Sequence, residues 1–364
     1  MWGARSPCSL APVVAVAGSA VKFKRRSLIA VGGAAAALGI AAIHLADQRR
    51  PRGKIVLRFS HVVDPDTPKG KAAELFKSSL TAATGGDVNV QIFPNSTLYK
   101  DKEELEALQL GSVELIAPSL GKLGPLGLRD FELFDLPFLF NDYAALHRVT
   151  RGRVGLDLME RLTPRGLLGL AFWDNGFKQV SANRPLIMPA DFRGLRMRIQ
   201  ASEVLDSQMR ALGAIPDQMA LSEVLPALAA GVVDGTENPP SNFLTQRMYT
   251  VQKFMTKSDH GYLGYVVIAN ERFWRELPGD IRLAAVAALK EASALADAIA
   301  QSENDSALDR IASMGTTKII ALPDDAKRSW KEALAVTYSE FRRRRLGSHL
   351  LDAVAAATGA SLLG

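Results

Sequence analysis

From residue 54 onward the chain switches repeatedly between two hydrophobic periods. In KIVLRFSHV (54–62), Val56, Leu57 and Phe59 supply the apolar positions of a first strand. DVNVQIF (87–93) alternates apolar and polar residues, as a half-buried strand does. Between them TPKGKAAELFKSSLTAATGG (67–86) predicts a helix, with Thr67 as N-cap, Pro68 in its first position and Gly85 ending it. Further helices are expected over 101–111, 143–162, 202–212 and 222–230, and further strands over 112–119, 167–173, 194–200, 232–237 and 262–270. An Ala-rich helix over about 279–313, a strand over 317–322 and helices to the C-terminus complete the pattern. Strands alternating with helices predict parallel α/β units, and 364 residues suffice for about two domains.

One strand raises a chemical question. In DFRGLRMRIQ (191–200), Leu195, Met197 and Ile199 share one face, while Arg196, Arg198 and Gln200 share the other. Arginine is common on solvated faces, so the pattern alone leaves open whether either guanidinium meets an anion.

Charge separates the N-terminal segment from the rest. The chain carries a formal net charge of +6, yet residues 51–364 hold equal numbers of basic and acidic side chains. The excess lies in residues 1–50, where KFKRRSLIAVGGAAAALGIAAIHLA joins a basic stretch to an apolar Gly/Ala-rich run. That is the pattern of an export signal, and Arg25-Arg26 before Ser27, Leu28 and Ile29 resembles the twin-arginine (Tat) form. A periplasmic destination follows, with an uncleaved N-terminal anchor as the alternative. A nucleic-acid partner is not expected, because RRRR (342–345) is the only dense basic run beyond the leader and is most simply a solvated helix face. The single cysteine, Cys8, lies in the leader, so the remainder can form no internal disulfide.

Catalytic signatures are sparse. The chain has no P-loop and no G-x-S-x-G elbow. The glycines of GKLGPLG (121–127) are interrupted by proline, which speaks against a phosphate cradle. His44, His61, His147, His260 and His349 are scattered without metal-ligand spacing. No enzyme, cofactor or metal is expected, although an exported hydrolase using Asp174 or His61 is a conceivable rival.

FELFDLPFLF, FWDNGFKQ, DFRGLRMRIQ, ALGAIPDQMALSEVLPALAAGVVDGTENPPSN and SDHGYLGY occur in that order. Together they resemble the solute-binding subunits of TRAP transporters, particularly the C4-dicarboxylate-binding branch, over roughly residues 54–345. The resemblance implies a two-domain, type II-like periplasmic-binding-protein fold of α/β class, with a hinge cleft and one long helix spanning both domains. The implied division is residues 1–50 as export signal and linker, 51–175 plus about 264–303 as domain I, and 176–263 plus about 304–364 as domain II. It further implies capture of succinate, fumarate or malate and delivery to integral TRAP permease subunits in the membrane. Other organic acids, such as a sugar acid or an α-keto acid, and a ligand-presenting sensor are the alternatives.

The resemblance also assigns ligand residues. Arg198 falls where the family clamps a carboxylate, Arg196 falls at a variable basic position, and Asn238 matches a ligand-bonding asparagine. Lys178, where many relatives have arginine, is the expected partner of a second carboxylate. A guanidinium fork suits a carboxylate bidentately, and two cations suit a dianion. Glu237 is expected to orient a cation beside the ligand. His61 and Ser119 end strands that line a crevice in α/β folds, and Trp173 offers an apolar wall. His260 is expected to be structural.

Overall fold

The computed structural model describes residues 54–359 and Leu362. The proposed leader and its Arg25-Arg26 pair lie outside the described residues. Strands β1 (Ile55–Ser60), β2 (Val88–Phe93), β3 (Leu115–Ile116), β4 (Leu167–Ala182), β5 (Arg196–Ile199), β6 (Ile215–Gln218), β7 (Gly235–Asn238), β8 (Phe254–Asn270) and β9 (Lys318–Ala321) make one mixed sheet. Its order is β2-β1-β3-β8-β4-β7-β5-β6, with β9 added to β8. The short strands pair in parallel, as the alternation with helices predicts.

β4 and β8 are the exception, and they explain the two-domain form. They pair antiparallel along 16 and 17 residues respectively. β3 adds to the C-terminal end of β8 at Ile268 and Ala269, whereas β7 adds to the C-terminal end of β4 at Gln179–Ala182. Each domain is therefore built on one end of the same two strands. The sequence pattern shows only part of each: the expected strand over 167–173 continues to Ala182, and that over 262–270 begins at Phe254. The extra residues (DNGFKQ and TKSDHG) are polar, and β-bulges at Asp174/Gly176 and Lys178/Val180 interrupt their alternation.

Helices α1 (Pro68–Ala83), α2 (Glu103–Gln109), α3 (Tyr143–Thr150), α4 (Arg153–Glu160), α5 (Glu203–Ala211), α6 (Leu221–Ala229), α7 (Pro240–Thr245), α8 (Glu271–Glu276), α9 (Gly279–Met314), α10 (Asp324–Arg342) and α11 (Gly347–Thr358) surround the sheet. Thr67 caps α1 by accepting from the Gly70 N–H, and Pro68 occupies its first turn. The expected helix over 143–162 is two helices, because Gly152 takes an extended conformation and a Cβ there would stand 2.3 Å from the Arg148 carbonyl oxygen. β6 was not visible as a strand, since IPDQ contains proline and lacks alternation.

α9 is 36 residues long, or about 54 Å at 1.5 Å per residue, enough to run past both domains. It starts after Pro278 and ends where Gly315 turns left-handed. Ala285, Ala288, Ala292, Ala296, Ala300 and Ala307 form its buried stripe, and these small side chains let it lie close on α1 and β4. The approach is tightest at Gly176, where a Cβ would meet Asn304 Nδ2 at 2.4 Å. Asn304 then donates to the Asn175 carbonyl at 2.7 Å and accepts from the Ser241 N–H at 2.9 Å.

A second tie crosses the middle of β4. Asp174 faces His147 Nε2 at 2.6 Å and accepts from the Tyr262 hydroxyl at 2.7 Å, while Asp297 on α9 pairs with Arg151 at 2.6 Å. Ligand atoms of His147, Asp174 and Asp297 converge, but each acid already has a protein partner. The bond to Asp174 raises the His147 pKa, with partial burial opposing it. A raised histidine pKa contributes stability that is complete below the unfolded value of about 6.5 and is lost as pH rises through the folded value. His147→Asn is therefore expected to lower the melting temperature most near pH 5.5–6, with the deficit shrinking toward pH 8.5. A deficit that stays constant or grows with pH in thermal unfolding would show that protonated His147 contributes nothing.

Candidate ligand-binding site

Arg196 and Arg198 share a strand face but not an environment. Met197 and Ile199 are fully buried beneath them in the domain core. Arg196 stands at the outer end of β5, exposed, with Nε 3.6 Å from Asp234 and Nη2 donating to the Gly231 carbonyl. Two residues on, Arg198 is 1% exposed because the segment before α6 folds over it. Its Nε and Nη2 donate to the Met219 carbonyl at 3.0 and 2.8 Å, and Nη1 is buried without a hydrogen-bond partner. Burial lowers the guanidinium pKa to about 10, against a smaller upward pull from Glu237, so it stays cationic at neutral pH.

Asn238 ends the neighbouring strand, β7. Its Nδ2 donates to Thr236 Oγ1 at 3.2 Å, and its buried Oδ1 has no partner. A half-turn of the amide would let the Thr236 hydroxyl donate to Oδ1 and turn Nδ2 to the unpartnered side.

The facing wall comes from the other domain. His61 follows β1 with both ring nitrogens buried and unpartnered. Burial, followed by the charge of Lys69, holds its pKa down at about 3, so it presents a neutral ring. Lys69, in the first turn of α1, has no exposed surface; it donates to the Ala117 carbonyl at 2.9 Å and lies 3.7 Å above the Tyr265 ring. Lys122 is salt-bridged to Asp101, and its buried ammonium is repelled by both Arg198 and Lys69. Glu104, on α2, is fully buried with neither carboxylate oxygen hydrogen-bonded. Burial pushes Glu104 up to about 8 and Lys69 down to about 7, each softened by the other's charge.

The domains meet over this cluster. Ser119 Oγ donates to Gln200 Oε1 at 2.9 Å, the Leu221 N–H donates to Asp101 at 2.7 Å, and Lys100 pairs with Glu223 at 3.2 Å on the exposed lip. The cleft is closed, which is why charged groups at its floor have no access to water.

Lys178 lies within β4 and already has acidic partners, with Nζ 2.8 Å from Glu237 Oε1 and 3.5 Å from Asp135 Oδ1. Burial alone would lower its pKa, but the two acids outweigh it and hold the pKa above the usual lysine value. Glu237 is occupied on both oxygens, by Lys178 and by His260 Nε2 at 2.8 Å; burial opposes its ionisation, yet these partners hold it down at about 2. His260 completes the chain through Ser258 at 2.8 Å. Trp173 is a core residue, tilted against Phe59 with centroids 5.8 Å apart and donating from Nε1 to Ser293 at 2.8 Å. Asp174, the rival catalytic acid, is held by His147 and Tyr262.

Four residues at the floor escaped the sequence reading: Lys69, Asp101, Glu104 and Lys122. Lys69 sits at the N-terminus of the helix after β1, beside the strand ends already suspected, and that position was its signal. Lys122 lies inside GKLGPLG, a segment judged by its glycines rather than its lysine. DKEELE looks like a solvated acidic turn, and nothing in its pattern marks Glu104 as inward.

Comparison with known proteins identifies the family and the fold. Residues 59–344 match the family model described as bacterial extracellular solute-binding protein, family 7. The chain belongs to this family. It is 55% identical over 304 residues to the C4-dicarboxylate-binding periplasmic protein DctP of Rhodobacter capsulatus, covering 84% of this chain and 91% of the relative. A TRAP periplasmic solute-binding protein from Shewanella oneidensis, solved with bound succinate, superposes with a TM-score of 0.81 at 38% identity, covering 84% of this chain and 99% of that one. Another from Pseudomonas aeruginosa, solved with bound L-malate, gives 0.77 at 37% identity, covering 79% of this chain and all of that one. Among family 7 receptors this chain is a TRAP solute-binding subunit. No described helix is long and apolar enough to cross a membrane.

The two arginines should differ sharply in binding. Removing one partner of a desolvated ion pair costs about 3–5 kcal/mol, on the order of a hundred- to several-thousand-fold in affinity. Calorimetry with succinate is expected to show that loss for Arg198→Ala and less than about a tenfold change for Arg196→Ala, whose charge is solvated. Equal losses would place the ligand elsewhere on the strand.

Proposed function

We propose that this receptor captures a C4-dicarboxylate in the periplasm and presents it to the integral TRAP permease subunits. Domain I, about 54–175 plus 264–303, and domain II, about 176–263 plus 304–364, close on the acid about β4 and β8. One observation carries the substrate class: three basic side chains, Arg198, Lys122 and Lys69, are buried, Lys122 feels the charge of the other two, and Arg198 has an unpartnered N–H. Like charges held together without water call for a multiply charged anion. One carboxylate takes Arg198 Nη1 and the Asn238 amide. The second takes Lys122 and Lys69, with the neutral His61 ring as hydrogen-bond donor. The C4-dicarboxylate-binding activity in the Rhodobacter relative's name, and the succinate and L-malate bound in the Shewanella and Pseudomonas structures, support the same chemistry.

Lys178 has a different role in this scheme. Its charge balances Glu237 and Asp135 and anchors the β4–β7 seam beside the site. Dissociation constants for succinate and butyrate separate the two lysines. Lys122→Met is expected to reduce the preference for succinate strongly, whereas Lys178→Met should destabilise the fold by about 3–5 kcal/mol through its uncompensated acids. In the surviving folded Lys178→Met protein, the succinate-to-butyrate ratio should change little. Collapse of the ratio in Lys178→Met alone would return the second carboxylate to that lysine.

A further inference from the structure

We propose that the receptor takes up a proton together with its dicarboxylate, and that the buried Lys69–Glu104 pair is where the proton is received. The inference rests on the dicarboxylate reading and deepens it. Lys69 on α1 and Glu104 on α2 have no exposed surface, and each feels the other's charge. Lys69 donates to a backbone carbonyl and lies over the Tyr265 ring, and neither oxygen of Glu104 has a hydrogen-bond partner. A fixed buried ion pair would show a direct hydrogen bond, as Lys178–Glu237 does at 2.8 Å. Lys69 and Glu104 show no such bond.

Charge balance gives the direction. The groups facing the pair are His61 after β1, Asp101 before α2, Lys122 on the turn after Ser119, Tyr265 on β8 and Arg198 on β5, with Glu237 behind Arg198. His61 and Tyr265 are held neutral, the first well below and the second well above the physiological range. Asp101 offsets Lys122. Arg198 contributes one charge toward the dianion, and a second is supplied only if Lys69 is cationic while Glu104 is protonated. Without the acid, burial and the neighbouring cations disfavour that doubly protonated pair. The second carboxylate reverses the preference, and one proton moves from solvent onto the pair. The pKa directions agree: burial brings Lys69 down to about 7 and Glu104 up to about 8.

Binding that takes up one proton weakens by about tenfold per pH unit once the free receptor has lost that proton. Succinate itself is fully ionised above pH 7, so the slope reports the protein. The expected result is a dissociation constant for succinate that rises about tenfold per unit between pH 7.5 and 9, with titration heats at pH 8 that depend on the buffer's ionisation enthalpy. Lys69→Met, an apolar replacement of similar shape, should flatten this dependence, because Glu104 alone is protonated with and without ligand. Glu104→Gln should retain it, because Lys69 still gains its proton on binding. A flat profile for the unmodified receptor overturns the inference, as does a slope that survives Lys69→Met and vanishes in Lys122→Met. Failure to bind succinate even at pH 6.5 would instead overturn the dicarboxylate reading beneath it.

Discussion

A buried cation must have an anion, and in this receptor one set of cations finds it inside the protein while another does not. Lys178 lies between Glu237 and Asp135, closed off as a structural pair. Arg198 is equally buried, yet its Nη1 reaches no acceptor, Glu237 offsets only part of its burial, and its charge in turn repels Lys122. Desolvation costs several kcal/mol per ion even after relaxation, so the second set weighs against closing the cleft unless an anion enters with it. Ligand charge and domain closure are thereby one event. A neutral solute or a monoacid leaves part of this penalty standing, whereas a dianion removes it.

The frame serves that event by letting two domains share two strands. β4 and β8 carry the bulges, and α9 lies along them through its alanine stripe. Gly176 and Asn304 fix the helix to the bulged segment, and the Asp174–His147–Tyr262 tie holds the middle of the same strand. Short parallel strands at either end place their C-terminal residues, His61 and Ser119 on one side and Arg198 and Asn238 on the other, against the same crevice. The site is made of strand ends and helix starts because those are the positions at which side chains of both domains can meet.

Much of this was legible in the sequence wherever pattern and chemistry coincide. The N-cap at Thr67 and the alternation around Met197 and Ile199 each carry a local physical signal, and each sits where that signal points. The hidden parts are those that tertiary contacts decide. The polar halves of β4 and β8 lack alternation because both of their faces are covered by domain seams. Lys178 looked available because its partners, Glu237 and Asp135, are 59 and 43 residues away in sequence. Glu104 and Lys122 sit in segments whose composition resembles solvent-facing turns, and tertiary packing buries them.

The most direct measurement of the central claim is a crystal structure of the receptor grown with succinate. The account predicts one carboxylate within hydrogen-bond distance of Arg198 Nη1 and the Asn238 amide, the other beside Lys122 and Lys69, and Lys178 still bound to Glu237. A carboxylate seated on Lys178, with Glu237 displaced from it, would contradict the account.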